Sequence, residues 1–232
     1  GFTLQSDIIA GYLEAYGSEE QKAKFLPGMI SGDVIGAIAM TEPGAGSDLQ
    51  GVRTAAIRDG NHYVVNGSKT YITNGQNADF VIVVAKTDPA LGAKGISLVI
   101  VEADRDGFSR GRNLDKIGQH SADTSELFFA DVRVPITNCL GTEGQGFAQL
   151  MNQLPQERLS ICCSAMGAAQ RGFDEAVAFV KGRAAFGKTI MDFQNTRFEL
   201  ASMKAKLQAG WAHLDWAINR HCEGKLTTYE AS

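Results

Sequence analysis

Residues 37–48 of the chain read Ala37-Ile38-Ala39-Met40-Thr41-Glu42-Pro43-Gly44-Ala45-Gly46-Ser47-Asp48. The apolar half is typical of a buried strand, and it ends at a hydroxyl group, that of Thr41. In the turn that follows, Gly44 and Gly46 allow the backbone to approach a ligand closely, so that free N–H groups face an anion or a ring carbonyl. Spacing alone favours a simpler interpretation, a surface turn, because Pro-Gly and Gly-Ser pairs often mark one.

Short β-rich segments surround this stretch and fill the middle of the chain. Asp59-Gly60 and Asn66-Gly67 are strong signals for hairpin turns between such segments. Because no long helix separates the segments, they predict an antiparallel β-barrel or sandwich. The segments are residues 33–40, 52–58, 62–65, 79–87, 96–102 and 126–134.

Helical patterns flank the β-rich region on both sides, so the predicted fold class is mixed α and β. Residues 6–31 have helical spacing, with Ser18 as the predicted N-cap of a second helix. From about residue 144 onward, two apolar stripes step by three or four residues, and a loop around Gly187 separates them. They predict an antiparallel helical hairpin with a shared apolar seam. The stripes are Leu159, Cys162, Met166, Ala169, Phe173, Val177 and Val180, and then Leu200, Met203, Leu207, Trp211, Leu214 and Ile218.

Composition narrows the possible partners. Of the 232 residues, 44% are hydrophobic and 21% are charged, which is typical of a globular protein with a sizeable core. The net charge of −4 gives no basic field, so nucleic acid is not expected as a partner. No apolar run approaches the roughly 20 residues that span a bilayer. The cysteines and histidines have no spacing typical of a metal site, so none is expected.

Four separated segments together resemble the motifs of acyl-CoA dehydrogenases. Residues 37–48 resemble the flavin-binding signature of that family, and Tyr71-Ile72-Thr73-Asn74 resembles its second flavin-contact strand. Residues 183–188 resemble the Arg-x-x-Phe-Gly motif, and Gln194 follows at the expected distance. Residues 154–159, which read Leu-Pro-Gln-Glu-Arg-Leu, resemble the base-bearing helix of the long-chain branch. The segments occur in family order, and the resemblance covers essentially the whole chain.

The resemblance implies a domain organisation. Residues 1–32 would be the end of an N-terminal helical domain, 33–137 the β domain that binds flavin and acyl-CoA, and 138–232 the first helices of a C-terminal helical domain. The sequence would then be a piece of a longer enzyme, and the piece alone is expected to lack activity.

The same resemblance implies an activity. It is the FAD-dependent α,β-dehydrogenation of acyl-CoA thioesters in fatty acid β-oxidation. Electron-transfer flavoprotein would be the acceptor, and the parent would be a homotetramer or homodimer. The location would be the cytoplasm of a bacterium or the mitochondrial matrix of a eukaryote. Two alternatives stay open: an acyl-CoA oxidase-like flavoenzyme, and a non-catalytic fragment or assembly subunit.

Site residues carry over from the resemblance position by position. Glu157 would be the base that removes the α-proton of the substrate. The residues implied to contact the substrate are Ser47, Pro155, Gln156, Glu157 and Arg158. Those implied to contact the flavin are Ile38, Ala39, Met40, Thr41, Gly46, Ser47, Tyr71, Ile72, Thr73, Arg183, Phe186 and Gln194. The last three would serve the pyrophosphate and adenine end of the flavin in a neighbouring subunit.

Each of these assignments competes with a simpler explanation. Glu157 and Arg158 also fit a solvated charged pair near the start of a helix. Arg158 equally fits a structural ion pair. Tyr71 also fits an aromatic residue of the core, and Arg183 alone would be read as a surface charge.

Overall fold

The computed structural model describes residues 2–232, so Gly1, the first residue of the predicted N-terminal segment, lies outside it. The chain divides into two compact units. The first ends at Gln153, and the second runs from Leu154 to Ser232. The first contains the N-terminal helices and a β-sheet, and the second contains a helical hairpin.

The N-terminal segment is helical, as predicted. It consists of a π-helical stretch over Leu4–Ile9, helix α1 over Ala10–Tyr16 and helix α2 over Glu19–Ser31. The predicted N-cap is confirmed, because the Ser18 hydroxyl accepts from the Gln21 amide N–H while the Gln21 side chain accepts from the Ser18 amide. This reciprocal pair satisfies two donors that a helix start leaves open.

Seven strands form one curled, mostly antiparallel sheet that resembles half of a barrel, in agreement with the predicted fold class. Strand β4 pairs in parallel with β1 and antiparallel with β5. One parallel pair of residues joins the end of β4 to β2. From β2 onward, the neighbouring strands of the sheet are β3, β7 and β6 in that order. The strands are β1 (Gly36–Ala39), β2 (Ala55–Asp59), β3 (His62–Thr73), β4 (Phe80–Lys86), β5 (Ile96–Glu102), β6 (Phe108–Asn113) and β7 (Thr124–Pro135).

Two details of the sheet correct the sequence-based expectation. Asp59-Gly60 does form the turn between β2 and β3, but Asn66-Gly67 lies inside β3, at a shift of register against β7. Gly67 has φ 151°, and a Cβ there would meet the Cα of Thr54 at 2.8 Å, so this position needs glycine within a strand. Strand β6 was not predicted, because its sequence is polar and contains a glycine.

Strand β4 is buried on both faces, which explains its continuous apolar sequence. Phe80, Ile82 and Val84 belong to a core shared with the N-terminal helices, where the rings of Phe25 and Phe80 lie 4.4 Å apart. The alternate residues Val81, Val83 and Ala85 point into a second core between the layers of the curled sheet. Apolar runs of this kind are typical of strands covered on both sides.

Glu102, at the end of β5, ties the N-terminal helices to the sheet. Its carboxylate accepts from Lys24 of α2 at 2.6 Å, and also from Arg105 and Asn138. Burial alone would raise the pKa of Glu102, but the hydrogen bonds from Arg105 and Lys24 outweigh burial and lower the pKa to about 2. The ionised carboxylate therefore stabilises the folded state.

Glu102→Gln is expected to lower the free energy of unfolding at neutral pH by about 2–3 kcal/mol. Because the pKa of Glu102 is lower in the folded than in the unfolded state, its contribution is complete above about pH 4.5 and is lost as the pH falls toward about 2. Urea unfolding of both proteins across this range should show the difference shrinking. Glu19→Gln, which removes an exposed pair with Lys22, is the control. A difference independent of pH would contradict the assignment.

The second unit contains the predicted antiparallel hairpin of helices. Helix α3 (Gly146–Gly182) enters this unit at Leu154, and helix α4 (Gln194–Cys222) returns. Strands β8 (Ala184–Ala185) and β9 (Lys188–Thr189) form the connection around Gly187. Near the open end of the hairpin, five of the thirteen predicted stripe residues pack together with Ala217 and Leu226, while the predicted Cys162, Ala169 and Met203 are exposed. The five are Leu159, Met166, Trp211, Leu214 and Ile218.

Candidate functional site

The turn after β1 is closed at its base and open at its tip. The amide of Glu42 donates to the carbonyl of Ala45 at 2.9 Å, and the amide of Ala45 donates back at 3.1 Å. The side chains of Ile38 and Ala39 are buried in the two cores, so only their backbone is available to a ligand. The turn thus presents backbone and small polar groups rather than side-chain bulk.

Several backbone donors of this segment are available to a ligand. Within residues 2–232, the amides of Met40, Thr41, Gly46 and Ser47 donate to no protein acceptor. A Cβ placed on Gly46 would have no atom within 4 Å, so the space beside the turn is open. Adjacent free amides in an open space form an acceptor-binding edge, suited to ring carbonyls or phosphate oxygens.

Tyr71 lies beside this edge with its ring exposed. The amide of Thr70 donates to the carbonyl of Thr41 at 2.9 Å, which places this part of β3 next to the turn. Tyr71 has φ 60°, in the left-handed region, and its side chain is 68% exposed. The interpretation of Tyr71 as a core aromatic is therefore wrong. Ile72 is buried and Thr73 is half-buried.

A buried ion pair under the turn was not predicted from the sequence. The Lys69 ammonium group donates to a carboxylate oxygen of Glu42 at 2.9 Å, and the side chain of Lys69 is fully buried. Burial alone would raise the pKa of Glu42, but hydrogen bonds from Thr54 and Arg53 and the charge of Lys69 outweigh burial and lower it. Burial lowers the pKa of Lys69, and Glu42 opposes that shift only in part. No local pattern signals this pair, because its members lie 27 positions apart in the chain.

The candidate base and its neighbours occupy one turn of α3 in the second unit. Pro155 is buried within the helix, while Gln156, Glu157 and Arg158 are half-buried. The next residue, Leu159, packs against α4. Glu157 is therefore half-buried rather than fully solvated, and its role as the base stays a prediction.

The side chain of Arg158 contacts the end of the chain. Its guanidinium group donates to the hydroxyl of Ser232 at 2.7 Å. The assignment of Arg158 to the substrate site stays a prediction.

The Arg-x-x-Phe-Gly segment forms a small exposed hairpin before α4. Phe186 and Gly187 have φ values of 54° and 78°, as the two-residue turn between β8 and β9 requires. Phe186 is 95% exposed, and Gln194 is the first residue of α4. The guanidinium group of Arg183 is exposed and forms no hydrogen bond or ion pair with another group in residues 2–232, so its five donors are available to an anion.

Residues 2–232 contain no group of three or more His, Cys, Asp or Glu residues placed to hold a metal ion. No helix in the same range is both long enough and apolar enough to cross a membrane.

Three family models match the chain in sequence. The N-terminal domain of acyl-CoA dehydrogenases matches residues 1–33, the middle domain matches residues 37–132 and the C-terminal domain matches residues 144–232. The matched regions leave only short gaps between them.

Individual relatives agree with these matches. The long-chain specific acyl-CoA dehydrogenase of Sus scrofa mitochondria is 50% identical over all of this chain, which covers 54% of the relative. The acyl-CoA dehydrogenase of Geobacillus kaustophilus superposes with a TM-score of 0.98 at 48% identity, covering 100% of this chain and 61% of that one. A chain from a study of the electron transferring flavoprotein of Acidaminococcus fermentans gives 0.94 at 38% identity, covering 99% and 61%. The chain thus spans about half the length of the curated relative.

Proposed function

Because the chain belongs to the acyl-CoA dehydrogenase family, we propose that the whole protein catalyses FAD-dependent α,β-dehydrogenation of acyl-CoA thioesters, in the manner of the long-chain branch. Members of this family are FAD-dependent flavoproteins. The observation that carries the proposal is the exposed ring of Tyr71 beside the free amides of Met40 and Thr41. A flat ring with polar edge atoms is the kind of ligand that an aromatic face and adjacent donors accept together.

The residues present fit the ring end of one FAD in the first unit and, in the second unit, the phosphate end of the FAD of a neighbouring subunit. At the ring end, the amides of Met40 and Thr41 and the hydroxyls of Thr41 and Thr73 would bind the polar edge, with Tyr71 against the ring. At the phosphate end, Arg183 offers a planar set of donors, for which pyrophosphate is a matching ligand. We assign Phe186 and Gln194, on the same hairpin and helix start, to this end as well.

The proposed chemistry divides between the cofactor and the chain. Bound FAD supplies the acceptor for the hydride that leaves the β-carbon, which no side chain can provide. The carboxylate of Glu157 takes the proton from the α-carbon as general base. Arg158, the next residue in the chain, supplies a positive charge in the same turn of the helix.

We propose the remaining roles from the family. Ser47, Pro155 and Gln156 would contact the substrate, electron-transfer flavoprotein would accept the electrons, and the protein would act as a homo-oligomer in β-oxidation. The mitochondrial matrix or the bacterial cytoplasm would be its place of action.

Anaerobic titration of the purified whole protein with acyl-CoA thioesters of increasing chain length tests the proposal. The yellow flavin absorbance should bleach, and most completely with long acyl chains. Reoxidation should then be fast with electron-transfer flavoprotein and slow with oxygen. Fast reoxidation by oxygen would instead indicate an acyl-CoA oxidase. A colourless protein, or a flavin that no acyl-CoA bleaches, would contradict the proposal.

A further inference from the structure

Lys69 makes its full complement of hydrogen bonds in the interior of the first unit. Its ammonium group donates to the carbonyl of Met40 at 3.0 Å, to the carboxylate of Glu42 at 2.9 Å and to the carbonyl of Val84 at 2.7 Å. An ammonium group has three donors, so each of them has an acceptor. The side chain of Lys69 is 0% exposed and that of Glu42 is 6% exposed.

The carboxylate of Glu42 completes the arrangement on its other side. One of its oxygens accepts from the amide of Arg53 at 2.6 Å, and the other accepts from the amide of Thr54 at 2.9 Å. Glu42 is thus fixed to the segment before β2, and Lys69 joins it to β3 and β4. The pair connects the turn after β1 to three other parts of the sheet.

Stability alone is a weak explanation for such a pair. Removing two charges from water costs several kcal/mol per ion, and uncharged residues of similar volume often replace a buried ion pair with no loss of stability. The ion pair does fix the orientation of the backbone in the turn after β1. Lys69 holds the backbone carbonyl of Met40 and the side chain of Glu42, and the hydrogen bond from the Thr70 amide to the Thr41 carbonyl holds the residue between them.

We propose that Lys69 and Glu42 are positioning residues for the flavin ring, which fix the direction of the free amides of Met40 and Thr41. This inference rests on the proposed function. Lys69 and Tyr71 lie two positions apart on β3, where the register against β7 shifts between Lys69 and Ile72. Lys69 points inward to hold the turn, while the left-handed backbone of Tyr71 directs its ring outward beside the same turn. One short segment therefore fixes both the donors and the aromatic face.

The test compares three forms of the whole protein. Lys69→Met with Glu42→Gln removes both charges, keeps the side-chain volumes and leaves one acceptor oxygen for the amides of Arg53 and Thr54. Lys69→Met alone leaves the charge of Glu42 buried without its partner and should lower the Tm of the apoprotein. The control is Asp59→Asn with Arg133→Gln, which removes an exposed ion pair of the same sheet.

The double variant is expected to keep an apoprotein Tm close to that of the wild type while the Kd for FAD rises by about tenfold, since about two hydrogen bonds to the ring lose their alignment. The absorption band of the bound flavin should lose its fine structure. The control variant should change neither the Kd for FAD nor the absorption band of the bound flavin. FAD affinity within about twofold of the wild type would overturn the inference, and so would a loss of apoprotein stability that accounts for the lost affinity. A wild type that binds no FAD would contradict the proposed function itself, and this inference with it.

Discussion

Glu157→Gln in the whole protein is expected to slow flavin reduction by acyl-CoA by about a thousandfold or more, because the amide cannot take the α-proton. The side chains have nearly the same shape, so the binding of FAD and of acyl-CoA should be retained. Stopped-flow measurement under anaerobic conditions gives the rate of flavin reduction directly. Binding of a substrate analogue, measured separately, distinguishes a lost base from a lost site.

Glu175→Gln is the matched control for this experiment. Glu175 lies on the same helix, is exposed and pairs with Arg171 at 2.7 Å. Its substitution should leave the reduction rate unchanged. If the Glu157 variant reduces its flavin at nearly the wild-type rate, the base lies elsewhere in the whole protein, and the assignment to the long-chain branch is wrong.

Arg183→Ala is expected to raise the Kd for FAD by about 10- to 100-fold, the equivalent of the 1.5–3 kcal/mol typical of a hydrogen bond to a charged group. The Kd of the Arg183→Lys variant should lie between those of the wild type and of Arg183→Ala, because an ammonium group cannot bind two phosphate oxygens in the planar geometry of a guanidinium group. Isothermal titration of the apoprotein with FAD measures both effects.

At Arg183, an effect on FAD affinity can be separated from an effect on the stability of the fold. Because its exposed guanidinium group forms no hydrogen bond or ion pair in the described part of the chain, its loss should leave the unfolding temperature unchanged. Arg171→Ala, which removes another exposed arginine of the second unit, should change neither affinity nor stability. An unaltered Kd in the Arg183 variants would remove this residue from the phosphate end of the site.

Predictions from the sequence succeeded where the determining interactions are local. Ser18 caps α2 through Gln21, three positions away, and Asp59-Gly60 turns the chain between adjacent strands. Asn66-Gly67 carries the same local signal and was misread, because the reason for glycine there is the backbone of Thr54, in the segment just before β2. That contact depends on the fold and is not visible in the dipeptide.

In the candidate site, too, local motifs could be recognised from the sequence, whereas long-range contacts could not be foreseen. The motif residues of the turn, the hairpin and the α3 helix could be named from their order along the chain. The buried position of Lys69 could not, because a lysine in a strand is ordinarily exposed and its partner approaches only when the turn folds over β3. The left-handed conformation of Tyr71 also follows from the shifted register rather than from the residue itself.

The backbone of Tyr71 also bears on how this protein can be engineered. A bulky residue in the left-handed region carries a conformational cost of about 1–2 kcal/mol, and glycine would carry none. Selection for heat resistance alone would therefore favour glycine at position 71, and the exposed ring would be lost with the strain. Thermostability and cofactor recognition are in conflict at this residue. A stabilised variant is better sought on the outer face of the second unit, where Arg171 and Glu175 are exposed to solvent.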